Sequence, residues 1–227
     1  MEQLQAELVA RYQAIAQENR EVVLAGGYPD LHVDDDWQNQ RVGLTLVVPL
    51  PVHWTRNLGF AMAKLKEFEP EQYYYPAKDL HLTVIDLVAG KVNQQLTDFP
   101  LAKIKATLAK SLTQAKAFDW ELRGLVATDG AVIACGYYSP ELMALRKQVR
   151  ETFKAAGTPV SEHRPAFTAH VTVARYRKLL SDPGAFLGMV DNLRNIGFGA
   201  TKVQTVNLVW HDWYNHHQEV LATYHLQ

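Results

Sequence analysis

The sequence has only one cysteine, Cys135, which lies in the apolar run 131–135. A single cysteine cannot form a disulfide within the chain, and it is too few for a cysteine-based zinc site. Because neither a basic residue nor a histidine flanks Cys135, we expect a buried, unreactive thiol rather than a nucleophile.

Long apolar runs and an excess of charge of one sign are also missing. No stretch is apolar for long enough to span a membrane, and residues 1–7 lack the charged-then-apolar layout of a secretion signal. The formal net charge is −1, whereas proteins that hold long nucleic acids are usually clearly basic. We therefore expect a cytoplasmic protein whose partners include neither a membrane nor a long nucleic acid, although a local basic patch remains compatible with this charge.

The chain does have enough apolar residues, 48% of 227, to build a sizeable core. The order of apolar periodicities indicates an α+β fold with two related lobes and an antiparallel sheet in each. The predicted helices cover 2–20, 57–68, 97–117, 139–156 (capped by Ser139) and 183–193. The predicted strands cover 44–48, 80–88, 118–127, 131–137, 168–176, 201–210 and 219–226.

Two short segments repeat the pattern apolar–His–apolar–Thr–apolar, with His81 and Thr83 in the first and His170 and Thr172 in the second. Alternate side chains of a strand point to opposite faces, so each segment would bury an apolar face and present a His–Thr pair on the other. If the fold brings the two strands together, two imidazoles meet. Paired imidazoles can serve as general acid and general base near neutral pH.

These paired segments resemble those of the 2H phosphoesterases, which include 2′-5′ RNA ligase-like proteins and cyclic nucleotide phosphodiesterases. The resemblance covers roughly residues 41–227: 41–49 is similar to the family's first strand, and 167–175 to its second motif almost in full. Residues 1–40 lie outside it and are interpreted as an N-terminal helical extension. The resemblance implies two pseudo-symmetric lobes, each with an antiparallel sheet and flanking helices, on either side of a central cleft.

The resemblance also implies a metal-independent phosphodiesterase without a cofactor, acting on a small nucleotide or an RNA terminus, with 2′,3′-cyclic phosphates as the expected class. His81 and His170 would be the acid–base pair, and the hydroxyls of Thr83 and Thr172 would donate hydrogen bonds to phosphate oxygens. Two alternatives stay open: 2′-5′ RNA ligation or cleavage, and a module that binds phosphate-bearing ligands without turnover. The division of acid and base roles, the bond cleaved and the oligomeric state also stay open.

Four further residues are candidates for substrate binding. Arg175 could clamp phosphate, although strict alternation from His170 sends it to the opposite face unless the strand ends or bulges. Arg164 could reach the cleft mouth from its loop, unless that loop is simply solvated. Tyr75 and Tyr138 could stack on a base, or they could fill the lobe interfaces instead.

A metal site is a separate hypothesis for His211, His216 and His217, because three imidazoles within seven positions can bind zinc. Adjacent histidines in a strand-like segment point to opposite sides, and no carboxylate follows at a fixed spacing. A hairpin turn is the favoured interpretation, so no metal ligand is assigned.

Overall fold

A computed structural model describes residues 2–36, 39–162 and 165–227. The helices are α1 (Glu2–Leu24), α2 (Val52–Lys66), α3 (Leu101–Leu112), α4 (Pro140–Ala155) and α5 (Pro183–Asn192). The strands are β1 (Val42–Pro49), β2 (Tyr73–Tyr74), β3 (His81–Lys91), β4 (Phe118–Ala127), β5 (Ala131–Tyr138), β6 (Val171–Arg175), β7 (Gly197–Val203), β8 (Thr205–Asp212) and β9 (Gln218–His225).

The strands form two antiparallel sheets, which confirms the predicted α+β fold with two lobes. The first sheet has the order β3-β1-β8-β9, and the second has the order β2-β6-β5-β4-β7. The chain crosses between the lobes more than once, because β2 joins the second sheet before β3 returns to the first, and β8 and β9 complete the first sheet from the far end of the sequence. The last strands along the chain therefore lie beside the earliest ones.

One sequence prediction is wrong in this region. The single strand expected over 201–210 is two strands, β7 and β8, which belong to different sheets. β7 alternates between buried and exposed side chains at the edge of the second sheet, whereas β8 is almost wholly buried in the interior of the first. The apolar content of the sequence did not distinguish β7 from β8, because they are divided at Gln204 only by a change of partner strands.

The starts of α2 and α3 and the capping of α4 also differ from expectation. α3 covers Leu101–Leu112 rather than 97–117. α2 begins at Val52, directly after Pro51, rather than at Asn57. Ser139 does precede α4, but its hydroxyl makes no capping hydrogen bond and instead accepts one from the backbone N–H of Asp119. The residue thus links α4 to β4 instead of satisfying the helix end.

The core fills the sheet faces that turn away from the cleft. Leu46, Leu82 and Val84 of the first sheet are each at most 1% exposed. Trp54 of α2 and Trp120 of β4 pack with ring centroids 4.8 Å apart, and both are buried. Across the described ranges 2–36, 39–162 and 165–227, none of the helices combines the length and apolarity needed to cross a membrane.

Candidate active site

Both His–Thr pairs line one cavity between the two sheets. The cavity has a volume of about 510 Å³, and its walls include His81 and Thr83 of β3, His170 directly before β6, and Thr172 of β6. Such a volume falls in the range of pockets that hold small ligands. The fold therefore gathers in one place the four residues that the two motifs singled out.

A β-bulge in β3 adds a fifth residue to the cleft face of the first sheet. β1 pairs Val47 with Thr83 and Leu46 with Ile85, so Val84 is an extra residue without an opposite partner. The bulge shifts the alternation by one position, and Asp86 lines the cavity although it is three residues after Thr83. Thr45, opposite Asp86 on β1, donates its hydroxyl to that carboxylate at 2.9 Å.

The second motif strand has the same bulge at the same place. β5 pairs Ile133 with Thr172 and Val132 with Ala174, which leaves Val173 as the extra residue of β6. The bulge turns Arg175 to the face of Thr172, and Arg175 lines the cavity. Because β6 bulges, strict alternation from His170 does not hold, and Arg175 faces the cleft.

The ring of His81 is fixed by the backbone before it. Its Nδ1 lies 2.7 Å from the carbonyl oxygen of Asp79, and because a carbonyl only accepts, Nδ1 carries the proton. Nε2 is then the nitrogen that exchanges a proton with a ligand. The neighbouring ring of His211 from β8 stands edge to face with it, at 5.6 Å between centroids.

The two motif histidines differ in electrostatic surroundings. Burial lowers the pKa of His81, but the Asp79 carbonyl and the carboxylates of Asp79 and Asp212 oppose that effect. Burial also lowers the pKa of His170, and there the positive charges of Arg146 and Arg175 lower it further, to about 4. In the ligand-free protein His170 is therefore the more firmly neutral of the two.

Arg146 of α4 holds the two motif segments together. It is 1% exposed, and its guanidinium donates to four carbonyls, those of Thr83 and Val84 on one side and of Phe167 and Thr168 on the other. Burial lowers the pKa of Arg146 to about 10, which still leaves it charged at neutral pH. A buried cation thus lies behind the cleft, bonded to the backbone of both motif segments.

His170 and Arg175 are each held by neighbouring side chains. The Nδ1 of His170 lies 2.8 Å from the hydroxyl oxygen of Thr168. The Nε–H of Arg175 donates to the hydroxyl of Tyr75 at 3.0 Å, and its guanidinium pairs with Asp30 at 3.4 Å. Asp30 also accepts from the hydroxyl of Tyr214 at 2.9 Å, so a residue before the first strand supports the arginine.

The cavity is locally basic although the whole chain is not. Among the residues that the structure describes, Arg11, Arg41 and Arg175 line it, against the single carboxylate of Asp86. Arg41 also lies over the ring of Trp213, at 4.3 Å from the centroid. This concentration of positive charge favours an anionic ligand.

The two candidate tyrosines take other places than stacking on a base. Tyr75 lines the cavity, but it is 4% exposed and bonds Arg175, so it positions that arginine. Tyr138 does not line the cavity; it is 1% exposed and its hydroxyl donates to the carbonyl of Phe167, which makes it a packing residue. Arg164 falls outside the described residues.

The three histidines of the metal hypothesis lie apart. His211 packs against His81, whereas the Nδ1 of His216 is 2.8 Å from the Asp79 carboxylate and its Nε2 is 3.0 Å from the hydroxyl of Tyr73. The backbone N–H of His217 donates to Asp212 within the β8–β9 turn. Among the residues the structure describes, no group of three His, Cys, Asp or Glu side chains is placed to hold a metal ion.

Sequence reasoning missed several site residues that carried a readable signal. Asp86, which was not a candidate, lies five positions after His81, just as the candidate Arg175 lies five positions after His170, so the repeat extends further than the His–Thr pairs. Arg146 is a lone charge in the apolar stripe of α4, between Leu142 and Val149. The remaining missed residues come from elsewhere in the chain and had no such signal: Arg11, Asp30, Arg41, Thr45 and Trp213.

Comparison with known proteins agrees with this arrangement. The chain is similar in fold to TT0787 of Thermus thermophilus (20% identity, TM-score 0.59, covering 81% of this chain and 97% of that one). It is also similar to E. coli LigT complexed with 3′-AMP (19%, 0.56, 83% and 99%). A third similar structure is the conserved protein of unknown function ATU0111 from Agrobacterium tumefaciens str. C58 (15%, 0.59, 92% and 99%).

The search of curated proteins found no match. The profile of the 2′-5′ RNA ligase superfamily, in contrast, matches residues 51–212, which is more than half of the chain and includes both His–Thr pairs. This match agrees with the resemblance to 2H phosphoesterases seen in the two motifs. The chain belongs to the 2′-5′ RNA ligase superfamily.

Proposed function

We propose that the protein is a metal-independent phosphodiesterase that hydrolyses nucleotide or RNA-end phosphodiesters, with 2′,3′-cyclic phosphates as its preferred class. The observation that carries the proposal is the single cavity lined by both His–Thr pairs and by three arginines. Membership of the 2′-5′ RNA ligase superfamily supports the reaction class. The similar LigT has been crystallised with 3′-AMP, NADP+, ATP and phosphate, which supports a small nucleotide as ligand.

In the proposed reaction the phosphodiester lies between the two imidazoles. Neutral His170 removes a proton from the attacking water as its oxygen bonds to phosphorus, and protonated His81 donates a proton to the ribose oxygen as the bond from phosphorus to that oxygen breaks. Thr83, Thr172 and Arg175 donate hydrogen bonds to the non-bridging oxygens as negative charge builds there. The product is a phosphomonoester, and exchange of protons with solvent resets the pair.

The division of roles rests on the surroundings of the two rings. Burial, followed by the positive neighbours Arg146 and Arg175, keeps His170 neutral, which suits a base. The carboxylates of Asp79 and Asp212 favour the protonated form of His81, which suits an acid. The roles exchange when the reaction runs in reverse, so the same pair would serve 2′-5′ ligation of RNA ends.

The test is hydrolysis of nucleoside 2′,3′-cyclic phosphates in the presence of a chelator. We expect turnover that extensive dialysis against chelator leaves unchanged, because hydroxyls, arginine and imidazolium meet the charge on phosphate. Loss of turnover that zinc or manganese restores would contradict the metal-free mechanism. Tight binding of the product nucleotide without any turnover would instead identify a binding module, and joining of RNA ends without hydrolysis would identify a ligase.

A further inference from the structure

Helix α1 packs on the cleft face of the second sheet. Ile133 of β5 is paired with Thr172 of β6 and with Val126 of β4, and paired residues of neighbouring strands point to the same side. Tyr12 of α1 forms a small buried cluster with Val126, Ile133 and Cys135. The helix therefore covers the part of this face that continues from the His170–Thr172 pair.

The docking of α1 is specific next to the motif. The hydroxyl of Tyr12 donates to the carbonyl of Gly136 at 3.1 Å and accepts from the N–H of the same residue at 2.9 Å. A side chain on Gly136 would collide with the carbonyl of Ala169, the residue directly before His170. The helix is thus bonded to β5 beside the start of the second motif.

Arg11 and Ile15 bring α1 into the cavity. Both residues line the same cavity as the motif histidines, although they lie outside the superfamily match at residues 51–212. Arg11 pairs with Glu18 of the same helix at 3.3 Å, and both side chains are about half exposed. Exposed pairs of this kind contribute little to stability, so a phosphate can displace the carboxylate.

We propose that Arg11, with Ile15 beside it, forms a subsite for a second phosphate of the substrate, on the 5′ side of the nucleotide whose phosphodiester lies between the histidines. The inference rests on the proposed function, because it takes the position of the reacting phosphate from it. Guanidinium groups bind phosphate bidentately, and the apolar Ile15 gives the sugar or base a surface to contact. The substrate class is then a nucleotide or RNA end that carries a 5′ phosphate in addition to the reacting one.

The test compares two ligands that differ only in that phosphate, adenosine 3′-phosphate and adenosine 3′,5′-bisphosphate, by calorimetric titration at fixed ionic strength. We expect the wild-type protein to bind the bisphosphate about tenfold more tightly, as one charge-assisted contact implies. Arg11→Gln should lose most of that tenfold gain and lower the affinity for adenosine 3′-phosphate by a much smaller factor. Arg11→Lys should retain part of the gain.

Arg20→Gln is the matched control, because Arg20 lies on the same helix, pairs with Asp191 at 3.2 Å and does not line the cavity. It removes the same charge and should not change the ratio of the two affinities. Equal affinity of the wild-type protein for both ligands, or an equal loss for both in Arg11→Gln, would overturn the subsite. Failure of the wild-type protein to bind either ligand would instead overturn the proposed function on which the subsite depends.

Discussion

β3 and β6 follow one plan, yet they surround their histidines differently. In each strand a His–Thr pair is followed by a one-residue bulge and then by a charged residue on the cleft face, five positions after the histidine. That residue is Asp86 in β3 and Arg175 in β6. The backbone geometry is therefore repeated, whereas the charge at its end is reversed.

The histidines at the two ends of the cleft also differ in the charges around them, and these charges include residues other than Asp86 and Arg175. Around His170 the nearby charges that shift its pKa are cations, and around His81 carboxylates act against the effect of burial. A pseudo-symmetric fold alone would provide two equivalent imidazoles, which could not be told apart as acid and base. The charges supplied by neighbouring elements make the difference, and the predictions below test it.

The largest expected effect is the loss of either histidine. His81→Asn and His170→Asn should each lower kcat/KM for a cyclic phosphate by about 10²–10⁴-fold, as removal of one proton-transfer group does. The double variant should be little worse than either single one, because the pair acts as a unit. Exposed His225 on β9 provides the matched control, and His225→Asn should retain full activity. Strictly additive losses would show that the two rings serve separate steps.

The next effect concerns pH. The protonation state that can react has His170 neutral and His81 protonated. The pKa values of both histidines lie below the usual 6.5. We therefore expect kcat/KM to be greatest at a pH below 6.5. Arg146→Gln removes a cation that lowers the pKa of His170. The rising, acid-side limb of the pH profile of kcat/KM should therefore move to higher pH. Arg146→Lys keeps the charge and should leave that limb in place.

Arg146 also bonds four carbonyls, so its variants need a stability control. Arg146→Gln should lower the free energy of unfolding by about 1–3 kcal/mol, because buried carbonyls lose their hydrogen-bond donor. The pH profiles of kcat/KM are therefore compared at temperatures at which circular dichroism shows that each variant is folded. Arg150, one turn along α4, pairs with Glu162, and Arg150→Gln should not move the limb. If folded Arg146→Gln keeps the acid-side limb of its pH profile at the wild-type pH, the electrostatic role of Arg146 is contradicted.

Arg175 and Asp86, the charged residues after the two bulges, should have opposite effects on the affinity for phosphate. Arg175→Gln should weaken the binding of inorganic phosphate by about tenfold, since one charge-assisted contact is lost. Asp86→Asn should strengthen it by a few-fold, because a nearby negative charge is removed. Competition by phosphate against a nucleotide ligand measures both. Weaker binding in Asp86→Asn would show that the carboxylate instead recognises a hydrogen-bond donor on the ligand.

The parts of this site that local pattern determines were predictable. Alternation placed His81 with Thr83 and His170 with Thr172, and the predicted strands 118–127 and 131–137 match β4 (Phe118–Ala127) and β5 (Ala131–Tyr138) to within one residue. The bulges were not predictable, because an extra residue is defined only by the register of the partner strands. The face of Arg175 therefore remained undecided until the pairing of β6 with β5 was known.

The residues that depend on distant packing could not be found in the sequence. Asp30 reaches Arg175 across 145 positions, and Arg11 reaches the cavity only because α1 docks on the second sheet. For Tyr138 the sequence left base stacking and packing open, and its burial against Phe167 agrees with the packing alternative. In both cases tertiary contacts, which no local spacing encodes, decide the role of the side chain.

The smallest expected effect is on stability, and it concerns His211 beside His81. Burial lowers the pKa of His211 to about 3, so between that value and the unfolded value near 6.5 the unfolded chain binds more protons. Stability should therefore fall as the solution is acidified, and His211 should account for ~0.7 kcal/mol of the loss between pH 7 and pH 6. His211→Asn should show a smaller loss over that interval, whereas exposed His225→Asn should keep the wild-type one. Urea unfolding at the two pH values measures the difference, and an unchanged pH dependence in His211→Asn would show that the ring accepts a proton in the folded protein.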